Sequence, residues 1–287
     1  MQCTALLAYL TLFSGLAGAH PGVGIVMDSR GNVFFTDLKR VWRVAPDGRK
    51  SVAVPNVHTH ELCLDADDNL YGEHLWYEGD RTGKWGHRVW KLAPTGQVTD
   101  VIAAREGFLT DYSFVRDKAG NMYWADRGTP TKIRKRAPDG RISDLLAAPF
   151  ANVRWMTAAR DGTVYLIDYR GRAGNDVVRV STAGRMETVV RALYQSGFSI
   201  LPNSNLHDVM GLAVDKDGNI FVAVAGDRTV RKVTSPGAVT VAAKSPGPWS
   251  PTGVLPAANG DLWVLEYGAV NAVRVRRIRA DGSVTTF

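Results

Sequence analysis

The chain has 287 residues, 45% of them hydrophobic, and a net charge of +7 from 35 basic and 28 acidic side chains. That length is ample for one domain with a substantial core, and the composition excludes a disordered or low-complexity chain. With only two cysteines, a disulfide-stapled scaffold is excluded as well.

Residues 1–19, MQCTALLAYLTLFSGLAGA, carry no charge and end in the small-x-small pattern Ala17-Gly18-Ala19. The stretch reads as a secretory signal cleaved before His20, with delivery to a periplasm or the outside and no membrane attachment after cleavage. Residues 20–287 then read as a single domain. Cys3 leaves with the signal, so only Cys63 stays, in the strand-like context ELCLD, as a buried thiol. Many arginines take alternate strand positions, as Arg43, Arg134, Arg179 and Arg277 do, which marks solvated blade edges rather than a nucleic-acid surface.

Beyond residue 20 one phrase recurs. DSRGNVFFTD (28–37) is followed by RVWRVAPDG (40–48), and DADDNLYGEH (65–74) by RVWKLAPTG (88–96). DKAGNMYWAD (117–126), ARDGTVYLID (159–168), DKDGNIFVAV (215–224) and AANGDLWVLE (257–266) each have the same kind of sequel. Gly31, Asp68, Gly120, Gly162, Gly218 and Gly260 hold one turn slot, 37 to 56 residues apart. Gly-Asn and Asp-Gly supply the positive φ of tight hairpins, and apolar and polar residues alternate on either side. Six such copies predict an all-β fold, a six-bladed β-propeller with four antiparallel strands per blade. The terminal SVTTF completes the sixth blade, so no strand is expected to be shared between the first blade and the last.

In such a ring the entry to each innermost strand and the exit of the second strand share one face. Counting back from the turn gives entry slots Val23, His60, Tyr112, Arg154, Met210 and Thr252. Counting forward gives exit slots Asp37, His74, Asp126, Asp168, Val224 and Glu266. All six histidines (His20, His58, His60, His74, His87 and His207) fall on that face, with Glu61, Glu73, Asp111 and Asp208 beside them. Residues 74–88 and about 190–209 exceed a minimal blade, and the former carries Trp76, Tyr77 and Trp85.

Imidazoles and carboxylates converging on a concave mouth are what a metal site or a general acid–base site requires. His60, His74 and His207, with His20 in addition, are the expected ligands of a divalent ion (zinc, copper or calcium). A chain starting at His20 would offer copper an amine and an imidazole. Glu61, Glu73 and Asp37 are the expected proton carriers, and Tyr112 and Arg154 the groups that orient substrate or hold an oxyanion. Trp76, Tyr77, Trp85 and Asp111 are the expected substrate contacts. Asp126 and Asp168 equally suit strand capping or pairing with Arg154. The alternative is a non-catalytic propeller binding a glycan, peptide or protein over the Trp76–Trp85 insertion.

The repeated D-x-x-G-N phrase and its V-x-R-h-x-P-D-G sequel resemble the NHL-repeat and SMP-30/gluconolactonase/strictosidine-synthase-like propellers over residues 22–287. The resemblance implies six blades, an axial calcium or other divalent ion, and opening of sugar lactones or related esters in the lactonase branch. That branch takes its metal ligands from a Glu, an Asn and an Asp at slots that fall here on Val23, Arg154 and Met210. None matches, so its calcium site is not carried over. Histidines from separate blades look more like the NHL-type lyase that cleaves peptidyl α-hydroxyglycine, where Tyr and Arg stand near an axial zinc. The reading is an exported metal-dependent hydrolase or lyase acting on a small polar or sugar-derived molecule, with no nucleic-acid partner.

Overall fold

A computed structural model describes residues 21–79, 81–107, 109, 111–195, 207–235, 237–269 and 272–287. Residues 1–20, which include the expected signal and His20, lie outside this set.

The first blade contains β1 (Ile25–Met27), β2 (Val33–Thr36), β3 (Arg40–Val44) and β4 (Lys50–Pro55). The second contains β5 (Leu62–Leu64), β6 (Leu70–Tyr77), β7 (Trp85–Leu92) and β8 (Val98–Glu106). In the third, β9 (Met122–Asp126), β10 (Thr131–Arg136) and β11 (Ile142–Ala148) form the ladder. Its inner edge is a short segment held by the Arg116–Met122 bridge and by the Tyr123 amide donating to the Val115 carbonyl. The fourth contains β12 (Val153–Ala158), β13 (Val164–Tyr169), β14 (Asn175–Val180) and β15 (Met186–Tyr194). The fifth contains β16 (Val209–Val214), β17 (Ile220–Val224), β18 (Thr229–Thr234) and β19 (Ala238–Lys244). The sixth contains β20 (Ser250–Pro256), β21 (Leu262–Tyr267), β22 (Val273–Ile278) and β23 (Val284–Thr286). Strands run in sequence order within each antiparallel sheet, and the fold is the expected six-bladed propeller.

The repeated turn has a specific chemistry. Asp28 Oδ1 accepts the Arg30 and Asn32 amides, and Asn32 Nδ2 donates back to Asp28 Oδ2. Asp65, Asp117 and Asp215 make the same loop with Asn69, Asn121 and Asn219. A carboxylate that accepts backbone donors closes the hairpin, and the positive φ of the next slot (82° at Gly31) completes it.

The core lies between blades. Apolar clusters fill the seams of the first and second, third and fourth, fourth and fifth, fifth and sixth, and sixth and first blades. Among the described residues the seam of the second and third blades holds instead the Arg116 guanidinium, 5.2 Å from the Tyr71 ring and 5.3 Å from the Tyr112 ring. The ring closes without a shared strand: β23 pairs with β22, and Phe287 stacks on Trp263. The Tyr267 hydroxyl then donates to the Thr36 carbonyl across the junction of the sixth and first blades (3.2 Å). Inner strands approach closely enough there that a Cβ on Gly253 would lie 2.4 Å from the Val23 carbonyl oxygen.

Candidate functional site

Two spaces share Glu61, Phe114 and Trp155 in their walls. The channel, a cavity of about 280 Å³, is lined by inner-strand residues of all six blades, among them Val23, Cys63, Arg116 and Val254. Above it opens a mouth of about 400 Å³, within the range of small-molecule pockets. His60, Glu61, Glu73, Tyr112, Arg154 and His207 line that mouth, so six of the expected residues come together.

Burial of Trp90 places Glu73. Gly72 precedes it on β6, and the missing side chain makes room for the fully buried Trp90 indole, which a Cβ would meet at 2.2 Å. Trp90 Nε1 donates to the Glu73 carbonyl (2.8 Å), and the Thr59 hydroxyl donates to the same oxygen. With its backbone pinned, Glu73 Oε1 accepts the His60 amide (3.2 Å) and lies 3.3 Å from His60 Nδ1. Glu61 follows His60 and lines both mouth and channel. Desolvation there, reinforced by the negative Glu73 and opposed by His60, raises its carboxyl to about 7.

The opposite wall is cationic. The pairing of β12 with β13 slips between Val153 and Met156, a bulge that turns both Arg154 and Trp155 into the mouth. Arg127, on the loop after β9, lays its Nε and a terminal nitrogen on the Val153 carbonyl (3.3 and 3.2 Å) and so lies beside Arg154. Desolvation and then the Arg127 charge lower the Arg154 pKa. Desolvation and the Arg154 charge likewise lower that of His207, which keeps it neutral at pH 7. Tyr112 accepts a bond from Arg116 (2.8 Å), and burial pushes its hydroxyl up to about 12, so it remains a donor.

Other expected residues stand elsewhere. Asp37 accepts the Lys39 and Arg40 amides and the Trp42 indole N–H (2.8 Å), which fixes it in the turn after β2. Asp111 is on the surface with Arg136. His74 follows Glu73 on a strand, where neighbours point to opposite faces, and its Nδ1 accepts the His58 amide (2.9 Å). His87 lines the mouth as wall: Nδ1 donates to the Gly107 carbonyl (2.6 Å) and Nε2 accepts the Leu109 amide (3.0 Å). The 74–88 insertion is an extension of the β6–β7 hairpin, with Trp76 opposite Gly86 and Tyr77 opposite Trp85. Those three aromatic residues do not line the mouth. Asp126 and Asp168 pair with Arg134 and Arg170 rather than with Arg154.

The expected metal ligands do not assemble. Among the described residues no three His, Cys, Asp or Glu side chains form a group able to hold an ion. His74 is turned away from the mouth, and His20 lies outside the described residues. At the slots of the lactonase calcium site, Val23 and the fully buried Met210 offer no oxygen or nitrogen side-chain donor, and Arg154 brings a positive charge. The residues present do not fit that ion. Arg127 and Trp155 escaped the slot count, the first because it follows an exit slot by one residue, the second because of the bulge.

Comparison with family profiles gives no match, and comparison with curated proteins gives none. Solved structures do match. The chain is similar to virginiamycin B lyase from Staphylococcus aureus (15% identity, 93% of this chain and 84% of that one, TM-score 0.54). It is similar to regucalcin from Agrobacterium tumefaciens, described as a calcium-binding protein (15%, 85% and 81%, 0.53). A glucose dehydrogenase superposes at a TM-score of 0.63 with 12% identity over 91% of this chain and 96% of that one. At these identities the likeness is one of fold, the propeller that the repeats predict.

Proposed function

We propose that the protein is an exported acid–base enzyme, a hydrolase of lactonase type or a lyase, acting at the propeller mouth on small polar, sugar-derived molecules. The observation that carries this is the His60–Glu73 pair, with Glu61 beside it, facing Arg154 across one cavity. The likeness in fold to a lyase and to lactonase-type propellers supports it by analogy.

Each group has a task. Glu73 accepts a hydrogen bond from His60 Nδ1–H, which keeps the proton on Nδ1 and leaves Nε2 with its lone pair as the base. In ring opening, Nε2 takes a proton from water as the water oxygen adds to the lactone carbonyl. Tyr112, whose hydroxyl remains a donor, stabilises the resulting oxyanion, and Arg154 orients the substrate. When the carbonyl re-forms, the ring C–O bond breaks, and Glu61, protonated up to about pH 7, protonates the departing oxygen. In a lyase step the same base removes the proton next to a carbonyl, and Glu61 again protonates the leaving oxygen. No step requires the divalent ion that the sequence led us to expect.

The test is a pH-stat assay of sugar lactones and β-eliminable uronate derivatives with protein starting at residue 20. Ring opening or elimination that falls at least a hundredfold in His60→Ala supports the enzyme. No turnover of either class overturns it. One observation favours a second reading: Tyr77 is 59% exposed at the hairpin tip, opposite Trp85 and outside the mouth. A glycan-binding module would lose affinity in Tyr77→Ala and be indifferent to His60→Ala.

A further inference from the structure

The exit-slot acids each have a cation or a turn of their own. Asp126 is held by Arg134, Asp168 by Arg170, Glu266 by Arg274 and Arg276, and Asp37 by its turn. Arg127 and Arg154 stand differently. Among the described residues neither has a carboxylate partner, Arg127 rests only on a backbone carbonyl, and Arg154 Nε is buried with no hydrogen-bond acceptor. Two adjacent guanidiniums in a partly desolvated wall repel each other unless an anion lies between them.

We infer that Arg127 and Arg154 form an anion subsite that takes the carboxylate of the substrate, so that the substrate class is a sugar-derived acid. The inference rests on the enzymatic reading of the same mouth and adds the charge of its substrate. Guanidinium matches the planar carboxylate with paired N–H donors. The Glu73 carboxylate on the facing wall disfavours a second negative charge, which selects a monoanionic carboxylate over a phosphate dianion. The cationic wall also sets polarity: with the carboxylate on Arg154, the rest of the molecule extends toward His60. The guanidinium occupies the slot at which the lactonase branch has a metal ligand, so the positive charge of this mouth belongs to the chain itself.

Calorimetric titration of the mature protein with glucuronate, glucose and glucose 6-phosphate, which share one ring, tests the inference. Glucuronate is expected to bind at least tenfold more tightly than glucose, with Arg154→Met abolishing that advantage and Arg154→Lys retaining part of it. A thermal melt of each variant separates lost affinity from lost fold, and Arg127→Met provides a second variant. Equal affinity for glucose and glucuronate overturns the subsite, as does unchanged glucuronate affinity in a folded Arg154→Met. Tighter binding of glucose 6-phosphate overturns the carboxylate assignment in favour of phosphate. Selective binding without turnover of any substrate would overturn the catalytic reading and uphold the subsite.

Discussion

Glu73 Oε1 lies 3.2 Å from the His60 amide nitrogen and 3.3 Å from His60 Nδ1, so one carboxylate oxygen fixes both the backbone and the ring of the same residue. This contact defines which imidazole nitrogen is basic. Glu73→Gln keeps the size of the side chain but weakens its hold on a proton at Nδ1. We expect kcat to fall about 10²–10⁴-fold with KM changed much less, since the loss lies in general-base catalysis. Steady-state kinetics on the substrate found by pH-stat check this, and equal losses in kcat and substrate affinity would reassign Glu73 to binding.

Glu61 links the site to stability. Its carboxyl titrates near 7 in the folded protein against 4.5 for the ordinary group. Between these values the folded state holds the proton that the unfolded chain has released, so stability falls as pH rises through the window. Glu61→Gln removes the cost of burying the charge. The variant is expected to be more stable than the parent at pH 8 by about 1–3 kcal/mol, with the difference vanishing below about pH 4.5. Urea unfolding at the two pH values checks both sign and window.

Gly72→Ala tests how Glu73 is supported. The added methyl would sit 2.2 Å from a ring carbon of Trp90, which is fully buried and cannot move aside without breaking its bond to the Glu73 carbonyl. A loss of roughly 1–3 kcal/mol in stability is expected from the overpacking. Under the proposed function, turnover is also expected to fall at temperatures where the variant is still folded. Activity retained in the folded variant would separate the indole from the site.

Glu266 tests the sixth blade. Its fully buried carboxylate receives Arg276 Nε (2.7 Å), Arg274 Nε (2.6 Å) and the Ser245 hydroxyl (2.5 Å). Glu266→Ala leaves two guanidiniums without their counter-charge and should cost about 3–5 kcal/mol. Thermal melts decide it; an unchanged melting temperature would show that solvent reaches these arginines freely.

The propeller was legible because its turns are chemical. An Asp carboxylate accepting a backbone amide four residues on, the Asn there donating its side-chain amide to the same carboxylate, and a residue at positive φ leave the same letters in blade after blade, at Asp28, Asp65, Asp117 and Asp215. Slot counting then brought His60, Tyr112 and Arg154 to the mouth, because distance from a turn sets height along the axis. It does not set which way a side chain faces or what already holds it. Hence His74, one residue beyond Glu73, turns the other way, and Asp37 is committed to its own turn. Bulges are illegible for a related reason. The extra residue in β12 has no signature in the sequence, and it is what turns Trp155 inward beside Arg154.

The central claim is that the mouth does its chemistry with its own His60, Glu73, Glu61 and Arg154. Turnover of the substrate class found by pH-stat, measured after exhaustive chelation and dialysis of the mature protein, tests it most directly. Activity that survives metal removal and is abolished in His60→Ala is the result we predict. Activity that disappears on chelation and returns with zinc, copper or calcium would contradict the account and restore a metal centre to the mouth.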